Sequence, residues 1–238
     1  MNEIPVSVSL IFGLTTLLTV FTFYKAAGSS EATLYVMAAW ISLQTCISLS
    51  GFYAEAPAMQ FRLLLVVMPP ITLVAGLFLT KRGKAYLNRL DMHLLSIIHI
   101  VRIPVDLVIY WLFIARMLPY EATCGGGSLD IFAGFSAPVV YYFGMLKHWI
   151  NWFGLFCWNI LSMGLLVNLG VKSVLFAPCV FGEPGAGPTA GAVSYFPFVF
   201  LPSMMIPIIL ISHLAVIRRL IKVRGFDWKS QIGWPDLR

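Results

Sequence analysis

Charge is what this chain has least of. Only 11% of its 238 residues are Asp, Glu, Lys or Arg, against 59% hydrophobic, and the mean hydropathy is +0.87. A soluble domain carries about a quarter of its residues charged, so a surface facing water on all sides is excluded. The first apolar run has no basic segment and no small-residue cleavage signature ahead of it. It therefore reads as a retained helix and not as a removable signal peptide. The alternating ten-residue segments of a β-barrel are missing too. Gly125, Gly126 and Gly127 are not followed by the Lys-Ser/Thr of a phosphate-binding loop.

What the chain does have is apolar runs close to the ~20 residues that span hydrocarbon. Seven fall at 4–24, 33–52, 62–80, 93–117, 131–147, 150–175 and 195–217. Hydrocarbon supplies no water to satisfy backbone groups, so each run is expected to be a helix. The expected fold class is all-α: a polytopic seven-helix transmembrane bundle over residues 1–220, followed by a cytoplasmic interfacial tail over 221–238. That tail carries Trp228 and Trp234 among basic residues, a composition suited to a membrane interface.

Orientation follows from the cations. With the N-terminus outside, the inner loops and tail hold Lys25, Lys81, Arg82, Lys84, Arg89, Lys147, Arg218, Arg219, Lys222, Arg224, Lys229 and Arg238, and the outer loops hold only Arg62 and Lys172. This is the positive-inside pattern and puts the C-terminus in the cytoplasm. Glu3, Glu55, Glu121, Asp130 and Glu183 gather on the outer side. The net charge of +6 is thus explained by orientation and by anionic lipid headgroups as partners, with no nucleic acid involved.

The fourth run breaks the apolar pattern. Leu94–Met117 contains His99, Arg102, Asp106 and Tyr110, which on an α-helix share an arc of about 80°. Intramembrane charges are expensive and face a bundle interior, so they are candidates for function. Arg102 and Asp106 are one turn apart, the spacing of a direct ion pair. Partners from other runs are Asn151, Trp158, Asn159 and Ser162 in the sixth, and Gln44, Thr45 and Ser48 in the second. Asn and Gln side chains in membranes hydrogen-bond across helices or bind polar solutes. The candidate ligand-binding or proton-coupling set is His99, Arg102, Asp106, Tyr110, Asn159 and Gln44.

Histidine placement leaves metal chemistry weak. His99 and His213 fall at similar depth, while His93 and His148 lie near the inner surface. Two such residues are the only weak candidates for a metal or haem site, so no metal site and no cofactor is assigned. Cys46 and Cys157 fall inside runs, whereas Cys124 and Cys179 sit in outer loops where an oxidising exterior allows a disulfide. The long 177–194 connection is a candidate lid. The inner 81–91 segment reads as the longest cytoplasmic loop. Pro104, Pro138, Pro197, Pro202 and Pro207 each free a carbonyl one turn earlier, marking the fourth and seventh runs as kinked, cavity-lining helices.

Three segments carry a resemblance: WNILSMGLLVNL (158–169), DIFAGFSAPVVYYF (130–143) and YFPFVFLPSMMIPIILISHLAVIRRL (195–220). They look like a family of uncharacterised integral membrane proteins of Bacteroidota, with the similarity covering most of the chain from the fourth run onward. This resemblance implies a bacterial inner membrane and no particular activity. Retinal proteins are not resembled, because the last run has no lysine at its middle. Zinc hydrolases of the ceramidase and adiponectin-receptor kind are resembled only weakly, since His213 stands alone there.

The expectation is therefore an inner-membrane protein that binds, transports or senses a small polar or amphipathic ligand, with Arg102 contacting an anionic group and Asp106 as its counter-ion. Two alternatives stay open. One is an intramembrane enzyme acting on lipid, using His99 and Asp106. The other is an accessory subunit whose ion pair is structural.

Overall fold

The computed structural model describes residues 5–53, 59–115, 118, 129–175 and 194–226. Among them there are only helices, turns and connectors, and no strand. The helices are α1 (Val6–Ala26), α2 (Glu31–Leu49), α3 (Met59–Leu79), α4 (Lys81–Arg89), α5 (Met92–Ile97), α6 (Arg102–Ile114), α7 (Asp130–Val140), α8 (Trp152–Leu175) and α9 (Ile206–Phe226). A 3₁₀ turn, Ile98–Val101, joins α5 to α6, and π-helical turns extend α7 (Tyr141–Leu146) and precede α9 (Leu201–Met205).

Five continuous helices are long and apolar enough to cross a membrane: α1, α2, the α5–α6 rod, α8 and the rod ending in α9. The pair α3 and α4 makes a sixth if it counts as one span bent by 91°. The fifth expected run, 131–147, appears as the shorter apolar helix Asp130–Leu146.

Side-chain caps mark the starts of three helices. Thr80 Oγ1 accepts from Gly83 N at 3.0 Å and starts α4. Asp91 Oδ1 accepts from His93 N and Leu94 N at 2.7 and 3.3 Å and starts α5. Ser30 caps α2 through Thr33 N. These side chains satisfy N–H groups that have no partner within the helix. The inner segment expected to be a loop is therefore a helix, α4, whose basic residues stay exposed while Gly83 and Leu87 are buried.

Burial ranks the helices. Two-thirds of the span ending in α9 (67%) and half of the α5–α6 rod (50%) are buried, against 17% of α2. The two rods that carry the ionisable residues are thus the centre of the bundle, and α2 is its rim. The core between them is built from Leu95, Ile98, Val101, Met205, Ile209 and Val216. On α1, Thr15, Thr16 and Thr19 face this core and donate to carbonyls four residues back, at 2.7, 3.0 and 2.8 Å, so their hydroxyls need no partner elsewhere.

Proline acts on the last helix as its chemistry requires. Pro207 has no N–H, so the Ser203 carbonyl loses its helical donor. The Trp40 indole N–H takes that place at 2.9 Å and fastens α2 to the central rod.

The sharp bend between α3 and α4 depends on a small residue. A Cβ at Gly83 would overlap the Leu77 backbone, with the carbonyl carbon 2.7 Å away, whereas a Cβ at Gly13 would meet nothing within 4 Å. Gly83→Ala is accordingly expected to lower the melting temperature of the detergent-solubilised protein, by an overpacking cost of about 1–3 kcal/mol. Gly13→Ala should not lower it. Equal melting temperatures for the two variants would contradict this packing.

Candidate functional site

Arg102 opens α6 on the inside of the bundle, 1% exposed, and its partner is not the residue one turn along the same helix. Nε donates to Asp130 Oδ2 at 2.7 Å and Nη2 bonds Asp130 Oδ1 in a two-pronged ion pair. Nη2 also reaches the Ser162 carbonyl on α8 at 2.9 Å, and Nη1 meets His213 Nε2 on α9 at 3.3 Å. Four of the five N–H groups of a guanidinium are thereby used. The Arg102–Asp106 pair expected from spacing is corrected to Arg102–Asp130.

The reason lies in how closely α7 approaches. Gly134 has no side chain where a Cβ would come within 2.8 Å of Ile103 and 3.3 Å of the Arg102 Cβ. That contact brings Asp130, one turn earlier, against the guanidinium. Tyr141, eleven residues further along the same rod, lies beside His93 with ring centroids 6.0 Å apart. The two rods thus run antiparallel, and α7 begins level with the start of α6, about 15 Å below its far end by the helical rise. Asp130 is consequently 1% exposed, not an acid of the outer surface. Its position in the first turn of α7 also suits the positive end of the helix dipole.

A second chain of polar contacts runs from the same arginine. Arg102 cannot accept a hydrogen bond, so His213 Nε2 accepts and the proton sits on Nδ1. That N–H donates to Asn159 Oδ1 at 3.1 Å, and Asn159 Nδ2 donates to the Leu155 carbonyl at 2.9 Å. Each of these groups is satisfied, in the neutral tautomer of His213. The His99 ring stacks on His213 at a centroid distance of 4.0 Å and an angle of 15°, and is edge-on to Trp158 at 5.5 Å. Trp158 donates to Ser136 Oγ on α7 at 2.9 Å.

Two groups remain. His99 is 0% exposed and neither ring nitrogen has a hydrogen-bond partner, and Asp106 is 5% exposed with neither carboxylate oxygen partnered. Buried polar groups are almost always hydrogen-bonded, and an unpartnered one costs about 1–3 kcal/mol, more if charged. These four atoms therefore mark the place where the cluster can still accept something.

The other expected site residues lie elsewhere. Tyr110 is 52% exposed. The 3₁₀ turn through His99 packs three residues per turn, which rotates His99 onto the line of Arg102 and leaves Tyr110 about 80° away, at the edge of the arc. Gln44 is buried but accepts from Tyr53 Oη at 2.9 Å. Burial pushes the Tyr53 phenol above its ordinary range while the Gln44 bond pulls it back, so the phenol stays a donor. Trp40 reaches Ser203 and Ser48 reaches the Ser194 carbonyl, which sets Gln44 beside 194–203, about 15 Å or more from His213. His99 and His213 do meet, but face to face. Two imidazoles sharing a metal aim in-plane lone pairs at one point, and stacked rings cannot do so. Cys124, Cys179 and residues 177–193 of the lid candidate lie outside the described residues. Cys46 and Cys157 are free and exposed.

Asp130 and Ser136 are the site residues that sequence reasoning missed. The signal for Asp130 was its place at the head of an apolar helix with a glycine one turn on, which permits close approach to a neighbour.

The two aspartates should separate in a stability assay. Asp130→Ala strands a buried guanidinium and is expected to cost about 3–5 kcal/mol. Asp106→Ala removes an unpartnered buried carboxylate and should leave the melting temperature unchanged or higher. A larger loss for Asp106→Ala than for Asp130→Ala would reverse the assignment of the ion pair.

No protein-family model, curated protein sequence or solved structure matches this chain. What can be said of its role rests on the chemistry of the cluster.

Proposed function

We propose that this chain is a proton-coupled, multi-pass membrane protein in which Asp106 and His99 are the groups that bind and release the proton. The observation that carries the reading is their burial without a hydrogen-bond partner, beside an arginine whose charge is already matched by Asp130. With Arg102 and Asp130 cancelling and His213 neutral, an ionised Asp106 leaves the cluster with one surplus negative charge. Such a site attracts a proton or a donor group. It does not suit an anion, so the anionic ligand first expected for Arg102 is replaced by a cationic or donor-bearing one.

Burial narrows the choice further. Asp106 at 5% and His99 at 0% exposure admit a proton without rearrangement of the helices, whereas an organic ligand requires them to part. Intramembrane Asp and His residues are the usual elements of proton relays in pumps and transporters. The protein would couple that proton to transport or sensing of a small polar or amphipathic molecule. The enzyme alternative needs His99 and Asp106 to act as a pair, and they do not hydrogen-bond to each other.

The membrane setting belongs to the same proposal. Six helices long and apolar enough to span, with the bent α3–α4 pair taken as one, and Asp130–Leu146 as a further pass would make a seven-pass bundle. The positive-inside bias favours an N-terminus outside and a C-terminus in the cytoplasm, and the resemblance of its segments implies a bacterial inner membrane.

Tryptophan fluorescence tests the proton site, because Trp158 touches His99 at 5.5 Å. Titration of the solubilised protein over roughly pH 4–9, a range that spans the carboxyl and imidazole transitions, should show a reversible step. The step should disappear in Asp106→Asn and persist in Tyr110→Phe. A step unchanged in Asp106→Asn would count against the proposal.

A further inference from the structure

On the other side of α9, away from the polar cluster, α2 stands off from α3 and the α9 rod, leaving a cleft of about 610 Å³. Its walls are apolar, formed by residues such as Val36, Leu73, Met204 and Ile208, and three prolines, Pro69, Pro70 and Pro207, keep the backbones on two sides from closing it. Along α2 it runs from Thr33 to Leu43, about 15 Å by the helical rise. The Trp40 bond to the Ser203 carbonyl holds the α2 wall in place.

One end is polar, and elsewhere the polar lining is Trp40, bonded to the Ser203 carbonyl, and Ser203 itself. At the polar end the Thr33 hydroxyl and the Tyr86 phenol, both lining the cleft, lie 3.1 Å apart. Tyr86 belongs to α4, the basic helix at the expected cytoplasmic surface. Arg82, one turn before Tyr86 on the same face, is exposed. Arg218, two turns beyond the cleft residue Ile211 on α9, donates to the Lys84 carbonyl and Asn88 Oδ1 at 3.2 Å, so its guanidinium also sits at α4. Lys81 and Lys84 add exposed positive charge on α4, and Lys25 adds it at the end of α1. Against these cations the neighbouring helix ends set two acids. Glu31 is exposed in the first turn of α2, and Asp91 is engaged as the α5 cap.

We propose that this cleft binds a single-chain anionic amphiphile, a long-chain carboxylate, with its tail between α2 and α9 and its head at Tyr86, Thr33 and Arg82. One hydroxyl pair at one end of a cleft about 15 Å long offers a single head site, so the occupant carries one acidic head and one chain. The hydroxyl pair accepts and donates hydrogen bonds to the head, while α4 supplies the charge. The site is separate from the proton-binding cluster and does not depend on that reading.

The test uses the full chain in dodecyl maltoside micelles and cis-parinaric acid, a fluorescent eighteen-carbon carboxylate, as the probe. Saturable binding of about one molecule per chain is expected, detected by energy transfer from tryptophan. The matching parinaryl alcohol should bind at least tenfold more weakly to the same protein, because it lacks the anionic head. Ala39→Trp, which fills the cleft from its exposed α2 lip, should abolish binding. Arg82→Gln, at an exposed position that leaves folding intact, should weaken it about tenfold. Asp106→Asn should bind as well as the original chain. Equal affinity for acid and alcohol, unaltered binding in Ala39→Trp and Arg82→Gln, or displacement of the probe by phosphatidylglycerol but not by oleate would each overturn the proposal.

Discussion

A guanidinium buried in a medium of low dielectric cannot go unmatched, and the arrangement of the central helices follows from that constraint. Arg102 takes Asp130 as its counter-ion, which requires α7 to start level with the beginning of α6 and to pack against it through Gly134. The remaining donors hold α8 through the Ser162 carbonyl and α9 through His213. One side chain thereby ties three helices to a fourth. Buried ion pairs contribute little net stability relative to apolar packing, and here the pair acts mainly by specifying which helices meet and at what depth.

That same pairing creates the cluster's chemistry. Because Arg102 is neutralised by a residue on another helix, Asp106 is left with a buried carboxylate and no cation of its own. Because Arg102 can only donate, His213 is held as an acceptor at Nε2, and its ring forms the platform on which His99 stacks. The unpartnered atoms of His99 and Asp106 are thus consequences of the pair and not independent anomalies. The bundle has a second region, around α2, governed by different physics. There proline leaves a carbonyl for Trp40 to hold, apolar walls stay apart, and the charge lies at one rim, on α4.

Much of the fold was legible in the sequence. Length and hydropathy are sufficient signals for helices that must satisfy their own backbone in hydrocarbon, so α1, α2, the α5–α6 rod and α8 match their apolar runs closely, while the last rod begins at Leu201 and runs on to Phe226, past the expected end at 217. Scarcity of charge also made Arg102 and His99 visible at once, and the shared depth of His99 and His213 followed from counting. The pairing was not legible. Spacing along one helix offers Asp106 to Arg102, but the winning partner depends on where the neighbouring helix begins. A 3₁₀ turn brings His99 onto the line of Arg102, a local change that periodicity at 100° per residue cannot register, while Tyr110 stays at the edge of the arc and is half exposed. Helix α4 was hidden for another reason: nine residues between two apolar segments, five of them Lys, Arg or Asn, look like a loop until capping by Thr80 and close packing at Gly83 make them a helix.

The central claim is that Asp106, freed by the Arg102–Asp130 pair, is the proton-binding group. Infrared difference spectroscopy between acid and alkaline forms of the purified protein tests it most directly. The account predicts a carboxylic-acid carbonyl band that appears on acidification, moves to lower frequency in D2O because the bound proton comes from solvent, and is lost in Asp106→Asn while surviving in Glu31→Gln. A spectrum in which Asp106→Asn retains the full band would contradict it.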